Sequence, residues 1–263
     1  MPFPRAAAVS PRLEHLEHTG STNDDLVARA TGTDAASWPS LSVVVTTDQR
    51  SGRGRLGRSW VAPAGSSLAA SVLLRIEGVP VERWGWVPLL AGAAMTRAVR
   101  AALATVPEPA PEVTLKWPND VLIDGAKVCG ILCELLPAAV VVGSGVNVSL
   151  GDEDLPTLTS TSLALAGVAE PDADALLADY LTELSRLIDR FTASAGDAEA
   201  SGLRAEVQGL CGTIGTDVRV HLPDGSLLEG RATGLDGLGR IVVRSAADSS
   251  TTAIAAGDVT HLR

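Results

Sequence analysis

The chain has 263 residues, of which 46% are hydrophobic and 20% are charged, and its formal net charge is −10. That composition is typical of a soluble globular protein with one large core and room for a small second domain. The acidic balance excludes a general binder of nucleic acids or acidic membranes, because phosphate contacts need a basic surface. Against this background, a cluster of positive charge indicates an anionic ligand.

The three cysteines, Cys129, Cys133 and Cys211, are an odd number and show no C-x-x-C spacing. This pattern favours small buried thiols in a reducing compartment over disulfide bonds. The N-terminus lacks an apolar segment long enough for a signal peptide, and we expect no stretch that approaches a membrane span. The sequence therefore predicts a cytoplasmic protein.

The first half of the chain predicts alternating helices and strands. "STNDDLVARA", from Ser21, is typical of a helix start, because a hydroxyl can cap it and two acidic residues follow in the first turn. The β-branched run at 41–47 and the alternating run "SLAASVLLRI" indicate two strands. The small residues of 87–103 predict a helix that can pack closely on a sheet.

The middle of the chain predicts strands joined by tight turns. "VTLKW", which precedes a proline, indicates a strand. Asp124 and Gly125 supply the left-handed residues of a hairpin turn, and Pro137 marks another reversal. Strands joined so closely must be antiparallel. We therefore predict an α+β fold with a mixed, largely antiparallel sheet flanked by helices.

The last third of the chain predicts a long helix followed by a small β module. One helical stripe of 174–191 carries five apolar residues, Leu177, Leu181, Leu184, Ile188 and Phe191. From about Gly212 the sequence changes to short alternating runs that are broken by Asp-Gly pairs, which is typical of a small β-barrel of about 50 residues. We predict two domains, residues 1–211 and residues 212–263.

Residues 48–60, "DQRSGRGRLGRSW", hold four arginines and three glycines, and we call them the arginine-glycine loop. Four cations so close together repel one another and cannot pack in a core, so we expect a mobile loop that an anionic ligand orders. Guanidinium groups match carboxylate and phosphate oxygens, and glycines let the backbone approach a ligand. The alternative is an ordinary solvated loop, which the acidic rest of the chain disfavours.

Lysine occurs only twice, at Lys116 and Lys127, among 21 basic residues. Because arginine is the rule in this chain, a lysine at a functional position indicates a need for a compact ammonium group. Lys116 lies at the end of a strand, beside a proline turn, and is the stronger candidate; a surface lysine is the alternative. For Lys127, an orienting role and a solvent-exposed strand end both stay open.

Four stretches in this order, followed by a small β module, resemble the biotin protein ligases: "GSTN" (20–23), "GRGRLGRSW" (52–60), "KWPND" with "KVCGILCE" (116–134) and "GSGVNV" (143–148). The resemblance covers roughly residues 15–263. It implies the catalytic fold of biotin and lipoate ligases with an SH3-like C-terminal β-barrel. It also implies an enzyme that joins biotin to ATP, with Mg²⁺, and then transfers biotin from biotinyl-5'-AMP to a lysine.

The resemblance implies roles for individual residues. Lys116 and Arg55 are the expected catalytic residues. The expected biotin-binding residues are Ser21, Thr22, Asn23, Gln49, Gly52, Arg53, Gly54, Arg55, Trp60, Lys116, Gly130 and Gly145. The expected ATP-binding residues are Arg53, Arg55, Arg58, Lys116, Asn119 and Asn147. We expect Mg²⁺ to be held largely by phosphate oxygens and water, and no protein ligand for it is assigned.

The implied partners are the biotin carboxyl carrier domains of acyl-CoA and pyruvate carboxylases. We expect no binding to DNA, because only about 20 residues precede "STN", too few for a three-helix DNA-binding domain. We also expect no binding to membranes. Two alternatives stay open: a lipoate–protein ligase, whose fold and two-step chemistry are related, and a biotin sensor without catalytic activity.

Overall fold

The computed structural model describes residues 2–222 and 224–262. Within those residues the chain forms five α-helices: α1 (Pro4–Val9), α2 (Thr22–Thr31), α3 (Val87–Ala102), α4 (Ala173–Ala193) and α5 (Leu203–Gln208). The same residues form fourteen strands: β1 (Leu13–His15), β2 (Val43–Thr46), β3 (Gly52–Arg53), β4 (Ser59–Trp60), β5 (Ser67–Leu74), β6 (Val113–Lys116), β7 (Asp120–Ile123), β8 (Ala126–Leu136), β9 (Ala139–Asn147), β10 (Asp217–His221), β11 (Leu227–Leu235), β12 (Ile241–Ser245), β13 (Thr251–Ile254) and β14 (Asp258–His261).

Seven strands form the main sheet, in the order β1-β2-β5-β9-β8-β7-β6. The β1–β2 pair is parallel, and the other neighbours are antiparallel. The β6–β7 hairpin sets Lys116 opposite Asp120, so "KWPND" forms the end of this hairpin. The predicted α+β fold with a mixed, largely antiparallel sheet is confirmed.

Local sequence explains where several elements begin and turn. Ser21 caps α2, because its hydroxyl accepts a hydrogen bond from the backbone N–H of Asp24 (3.3 Å). Asp124 and Gly125 connect β7 to β8 with φ angles of 48° and 80°, which are the left-handed values that a two-residue hairpin turn needs. Both features agree with the sequence predictions.

The main sheet separates two apolar layers. Alternate residues of β2 point to opposite faces, so Val43 and Val45 join the larger cluster and Val44 joins the smaller one. The larger layer holds α3 and α4, which pack against each other, and the smaller layer holds α2. Every residue of β5 is buried, because both faces of the sheet are covered there. The five apolar residues predicted for the stripe of α4 are also buried.

One helical segment, Val81–Thr105, is long and apolar enough to cross a membrane by length and composition. This finding corrects the expectation that no stretch approaches a membrane span. The segment contains α3, and 67% of its most apolar stretch of 18 residues is buried inside the protein. Because α3 packs against α4 and against β6, β7 and β8, the apolar character of the segment is explained by its place in the core.

The C-terminal strands form a second, five-stranded antiparallel sheet in the order β13-β12-β11-β10-β14. Alternate residues of β10 are buried, as the alternating sequence predicts. Two indole groups connect this sheet to the main core. Trp86 donates from Nε1 to the carbonyl of Gly237 (2.9 Å), and Trp117 donates to the carbonyl of Gly239 (3.1 Å).

The chain passes from one sheet to the other at residues 210–212. The backbone N–H of Leu115 donates to the carbonyl of Leu210 (2.8 Å), and the N–H of Gly212 donates to the carbonyl of Leu115 (2.9 Å). These bonds cover the edge of β6, which would otherwise expose unpaired backbone groups. The division proposed at residue 212 falls inside this paired segment and stays a prediction.

Candidate active site

A cavity of about 700 Å³ lies where the main sheet, the arginine-glycine loop and the C-terminal sheet meet. Most of the predicted site residues line it, namely Ser21, Thr22, Asn23, Gln49, Arg53, Gly54, Arg55, Arg58, Trp60, Lys116, Asn119, Gly130 and Gly145. Two predicted residues, Gly52 and Asn147, do not line it. One cavity thus gathers side chains from distant parts of the sequence.

The N-terminus of α2 forms one end of the cavity. Thr22 donates from its backbone N–H (2.9 Å) and from its hydroxyl (3.2 Å) to Oε1 of Gln49. A Cβ atom at Gly52 would lie 2.4 Å from Nε2 of Gln49. Gly52 therefore makes room for Gln49 inside the loop, which explains why a glycine is needed there although it does not face the cavity.

Asn23 is fixed by contacts that use its whole side-chain amide. Its Nδ2 donates to the carbonyl of Leu132 (3.2 Å) and to Oε1 of Glu134 (3.0 Å), and its Oδ1 accepts from the hydroxyl of Ser71 (2.6 Å). A Cβ atom at Gly143 would lie 2.2 Å from Oδ1 of Asn23. Sequence analysis missed Ser71, Glu134 and Gly143 as supporting residues, because no local pattern shows what they contact.

The arginine-glycine loop has defined contacts with the rest of the protein. Arg53 donates to Asp24 (2.7 Å to Oδ2) and to Glu134 (3.0 Å). The hydrogen bond from Arg53 lowers the pKa of Asp24, and the hydrogen bonds to Asp24 and Glu134 raise the pKa of Arg53. Because Glu134 also accepts from Asn23, it connects the loop to the first turn of α2.

Two further arginines of the loop reach the C-terminal sheet. Arg55 donates to Oδ1 of Asn119 (2.9 Å) and to the carbonyl of Gly257 (3.3 Å). Arg58 forms an ion pair with Asp258, the first residue of β14. The prediction of a loop ordered only by ligand is therefore incomplete, since carbonyl, amide and carboxylate groups of the protein already accept from its arginines.

Trp60 lies flat against β8 and β9. A Cβ atom at Gly145 would lie 2.5 Å from Cε2 of Trp60, and a Cβ atom at Gly130 would lie 3.2 Å from its Cζ3. Both glycines therefore let the indole approach the backbone of the sheet. The Nε1 of Trp60 is buried on this side of the ring and has no acceptor among the described residues.

The two lysines differ in their surroundings. Lys127 pairs with Asp120 (2.7 Å), and its Nζ lies 5.6 Å from the centroid of the Trp60 ring, which favours the orienting interpretation over a solvent-exposed strand end. Lys116 lines the cavity at the end of β6. Within residues 2–222 and 224–262, no acidic side chain forms an ion pair with Lys116, so its ammonium group is available to an anionic ligand.

The two asparagines predicted for the nucleotide also differ. Asn119 donates from Nδ2 to the carbonyl of Ile131 (2.7 Å) and lines the cavity beside Arg55. Asn147 is only 2% exposed, and its Nδ2 donates to the carbonyl of Thr161 (2.8 Å). The position of Asn147 supports a role in holding the nearby cavity wall, at 156–160, and does not favour direct contact with a nucleotide.

β14 contributes residues to the cavity that sequence analysis did not identify. Asp258 and His261 both line it. Burial would raise the pKa of Asp258, but the hydrogen bond from Arg58 and the charges of the cations nearby outweigh burial, so the pKa lies below its ordinary value. Burial and the charge of Lys116 lower the pKa of His261. Packing of one sheet against the other brings these residues into place.

Neither a disulfide nor a metal cluster occurs in the described part of the chain. Cys129, Cys133 and Cys211 are free, and burial raises the pKa of each thiol, that of Cys133 to about 12. Cys129 and Cys211 are buried side chains, as predicted, and Cys133 is half-buried. No group of three or more His, Cys, Asp or Glu residues among the described positions could hold a metal ion, and the acidic residues that line the cavity, Asp120 and Asp258, both pair with cations.

Residues 17–150 match the Biotin/lipoate A/B protein ligase family, and residues 213–262 match the Biotin protein ligase C terminal domain. The chain is 40% identical to the biotin–[acetyl-CoA-carboxylase] ligase of Mycobacterium tuberculosis over 253 residues, which cover 96% of this chain and 90% of that relative. It is 38% identical to the enzyme of the same name from Paracoccus denitrificans over 141 residues, or 51% of this chain and 53% of the relative.

The fold is similar to that of a biotin protein ligase from Aquifex aeolicus solved in complex with biotin and ATP. The TM-score is 0.76 at 22% sequence identity, and the match covers 96% of this chain and 99% of the other. That similarity concerns the fold, including the small C-terminal sheet. Because one relative is 40% identical over nearly the whole chain, and because both the catalytic and the C-terminal sequences match, the protein belongs to the biotin protein ligase family.

Proposed function

We propose that the cavity binds biotin and ATP and carries out both steps of biotin ligation. As a member of this family, the chain is an ATP-dependent biotin–protein ligase. In the first step, a carboxylate oxygen of biotin attacks the α-phosphorus of ATP, the bond to pyrophosphate breaks, and biotinyl-5'-AMP forms. In the second step, the ε-amine of an acceptor lysine attacks the carbonyl carbon, AMP leaves, and the amine loses a proton to solvent.

The polar N-terminus of α2 is the proposed site for the ring end of biotin. A ureido group offers one carbonyl acceptor and two N–H donors, which suits hydroxyl and amide side chains. Ser21, Thr22, Asn23 and Gln49 line this end of the cavity. Support for the assignment comes from the contacts that hold Thr22, Asn23 and Gln49 in fixed orientations, since a preorganised site binds without first ordering its side chains.

The reacting groups are proposed to meet beside Lys116 and Arg55. The carboxylate and the α-phosphate repel each other, and negative charge grows on the leaving pyrophosphate. A compact ammonium group can contact both anions, and a donor placed in this way contributes on the order of 3 kcal/mol in the transition state. The absence of an ion-pair partner for Lys116 among residues 2–222 and 224–262 supports this role.

The arginine-glycine loop is proposed to cover the adenylate and shield it from water. Arg53, Gly54, Arg55 and Trp60 line the cavity from this side, and Gly52 leaves room for the side chain of Gln49. Gly130 and Gly145 form the surface on which Trp60 lies. A mixed anhydride hydrolyses readily, so excluding water protects the intermediate until the acceptor arrives.

The nucleotide phosphates are proposed to lie near Arg58 and Asn119, and Mg²⁺ to accompany ATP. The pairing of Asp120 with Lys127, and the lack of any group of three potential metal ligands among the described residues, support a cation held by phosphate oxygens and water. Asn147 is proposed to assist nucleotide binding without touching the nucleotide, because its hydrogen bond to Thr161 holds the cavity wall at 156–160. The Mg²⁺ complex neutralises phosphate charge, while the residues of this chain bind and orient the two reactants.

The acceptor is proposed to be a lysine of a biotin carboxyl carrier domain. The names of the similar enzymes from M. tuberculosis and P. denitrificans point to acetyl-CoA carboxylase. Carrier domains of other acyl-CoA carboxylases and of pyruvate carboxylase are further proposed acceptors. We also propose that the protein works in the cytoplasm and does not bind DNA.

The observation that carries the proposal is the ammonium group of Lys116 without an ion-pair partner among the described residues, in the cavity that Arg55 and the N-terminus of α2 also line. We expect Lys116→Ala to keep biotin binding and to lose biotin-dependent ATP–pyrophosphate exchange by about a hundredfold or more. Lys116→Arg should not restore exchange, because a planar guanidinium cannot replace a compact ammonium.

The control variant is Arg219→Ala, which removes an exposed cation of the C-terminal sheet whose partner is Glu229 (2.6 Å). It should exchange pyrophosphate at the normal rate. Near-normal exchange by Lys116→Ala would contradict the assigned role. Incubation of the unaltered protein with biotin or lipoate, Mg-ATP and a carrier domain, followed by mass spectrometry, tests the substrate: a lipoyl adduct without a biotinyl adduct would favour a lipoate–protein ligase.

A further inference from the structure

A carboxylate from the C-terminal sheet lies among the cations of the cavity. Asp258 forms an ion pair with Arg58, and the preceding residue, Gly257, accepts from Arg55 through its carbonyl (3.3 Å). The charges of Arg55 and Lys116 also act on Asp258, since both lower its pKa. One protein carboxylate therefore faces the three cations to which the nucleotide phosphates are assigned.

Carboxylate and phosphate oxygens bind a guanidinium group in the same geometry. A phosphate group that binds Arg58 must therefore share it with Asp258 or displace Asp258. Sharing is unfavourable, because two anions beside one cation repel each other where water is partly excluded. The side chain of Asp258 is 38% exposed, so it can turn away into solvent without burying an unpaired charge.

We propose that Asp258 is an internal counter-anion that occupies Arg58 in the unliganded enzyme and leaves it when the phosphates of ATP bind, an inference that rests on the proposed function of the cavity. In the unliganded state Asp258 reduces repulsion among Arg55, Arg58 and Lys116 and holds the loop against the C-terminal sheet. The same contact weakens ATP binding, because the phosphates must replace it.

The other end of the loop is held differently. Arg53 is bound by two carboxylates, Asp24 and Glu134, and Glu134 is itself held by Asn23. In the part of the chain that the structure describes, Arg58 has one carboxylate partner, and its side chain is 64% exposed. Release of Asp258 therefore frees the Arg58 end of the loop for phosphate while the Arg53 end stays anchored.

The test is the affinity for an ATP analogue in Asp258→Asn, which keeps the size of the side chain and removes its charge. The probe is α,β-methylene ATP with Mg²⁺ and saturating biotin, since this analogue cannot release pyrophosphate, and calorimetry measures its Kd. We expect the Kd to fall about threefold to tenfold, as removal of one partly exposed repulsive charge implies. The difference should shrink as ionic strength rises.

The matched control is Asp217→Asn, which removes the same charge from the same sheet at an exposed ion pair with Arg231 (3.6 Å). Its Kd should equal that of the unaltered protein within about twofold, because Asp217 does not line the cavity. Thermal unfolding checks that each variant is folded. If Asp258→Asn does not fold, Asp258→Ser carries the same expectation.

A Kd for Asp258→Asn that is unchanged or higher than that of the unaltered protein would overturn the inference, since Asp258 would then not compete with phosphate. Biotin-dependent ATP–pyrophosphate exchange, measured on the unaltered protein, separates this failure from a failure of the proposed function. Normal exchange with no tighter binding in the variant overturns only the counter-anion. A protein that neither binds the analogue nor exchanges pyrophosphate overturns both.

Discussion

Glycine residues packed against the indole of Trp60 determine whether this side chain can lie on the main sheet and line the cavity. At Gly145, a Cβ atom would lie 2.5 Å from Cε2 and 2.6 Å from Nε1 of Trp60, a distance that requires the ring or the strand to move. Glycine is needed here because of a neighbouring side chain and not because of its backbone angles. The same contact buries the donor Nε1 against the sheet.

We expect Gly145→Ala to destabilise the protein by about 1 to 3 kcal/mol, the usual cost of overpacking, and to raise the KM for biotin by displacing Trp60. Urea unfolding and steady-state kinetics measure the two effects. Gly151→Ala is the control, because no atom lies within 4 Å of a Cβ atom there and its φ is −83°. A Gly145→Ala protein as stable as the control would contradict the packing of Trp60.

At the scale of elements, the arginine-glycine loop depends on contacts with α2, β8 and β14. The loop itself contains only a short strand pair, β3 with β4, and a single turn between them. Glu134 of β8 is the residue that joins the loop to α2, because it accepts from both Arg53 and Asn23 (3.0 Å each). A loop held by a few partly exposed ion pairs is expected to open more readily than the core strands.

We expect trypsin to cut the unliganded protein within residues 52–58, and biotin with Mg-ATP to slow that cleavage. Glu134→Gln should be cut several-fold faster than the unaltered protein without ligand, because Arg53 then keeps only Asp24 as a charged partner. The rate of cleavage is followed by mass spectrometry of the fragments. Glu229→Gln, which loses an exposed ion pair in the C-terminal sheet, should be cut at the normal rate.

Equal cleavage rates for Glu134→Gln and the unaltered protein would show that the loop is not held through Arg53. Equal rates with and without ligands in the unaltered protein would contradict the covering role of the loop. The two outcomes are independent, since the first concerns the anchor of the loop and the second concerns its response to ligand.

At the scale of the whole molecule, Glu206 connects three helices. It lies on α5 and pairs with Arg97 of α3 (2.7 Å) and with Arg186 of α4 (2.6 Å). Arg190 of α4 also donates to it. Burial would raise the pKa of Glu206, but the hydrogen bonds from the three arginines outweigh burial and lower the pKa to about 2.

A carboxylate with a lowered pKa in the folded state stabilises the fold fully above its unfolded pKa, here 4.5, and loses that effect as the pH falls toward 2. We therefore expect Glu206→Gln to melt at a lower temperature than the unaltered protein at pH 7. By about pH 3 the difference in melting temperature between Glu206→Gln and the unaltered protein should have narrowed by more than half. Thermal unfolding by circular dichroism at several pH values measures it.

Glu199→Gln is the matched control, because Glu199 is 71% exposed and pairs with a single arginine, Arg204 (2.7 Å). Its melting temperature should differ little from that of the unaltered protein at any pH. A constant difference for Glu206→Gln between pH 7 and pH 3 would contradict a charge-based contribution and would indicate loss of packing instead.

The sequence alone determined the elements whose cause is local. Ser21 caps α2, Asp124 and Gly125 form a hairpin turn, and one apolar stripe of α4 is buried, each as predicted. These features depend on interactions between residues a few positions apart, which the sequence displays directly. The order of "GSTN", the arginine-glycine loop and "KWPND" also identified the family, and most of the site residues predicted from it line the cavity.

Only the tertiary structure decided which charges meet. The presence of Asp258 and His261 in the cavity depends on the packing of the two sheets. The partners of Arg53 and the place of Asn147 behind the cavity wall depend on contacts of the main sheet with α2 and with the segment after β9. Packing of α3 against α4 and against β6, β7 and β8 placed the apolar segment Val81–Thr105 in the core. These contacts join residues far apart in the chain, so they depend on the tertiary fold and not on local propensity or spacing.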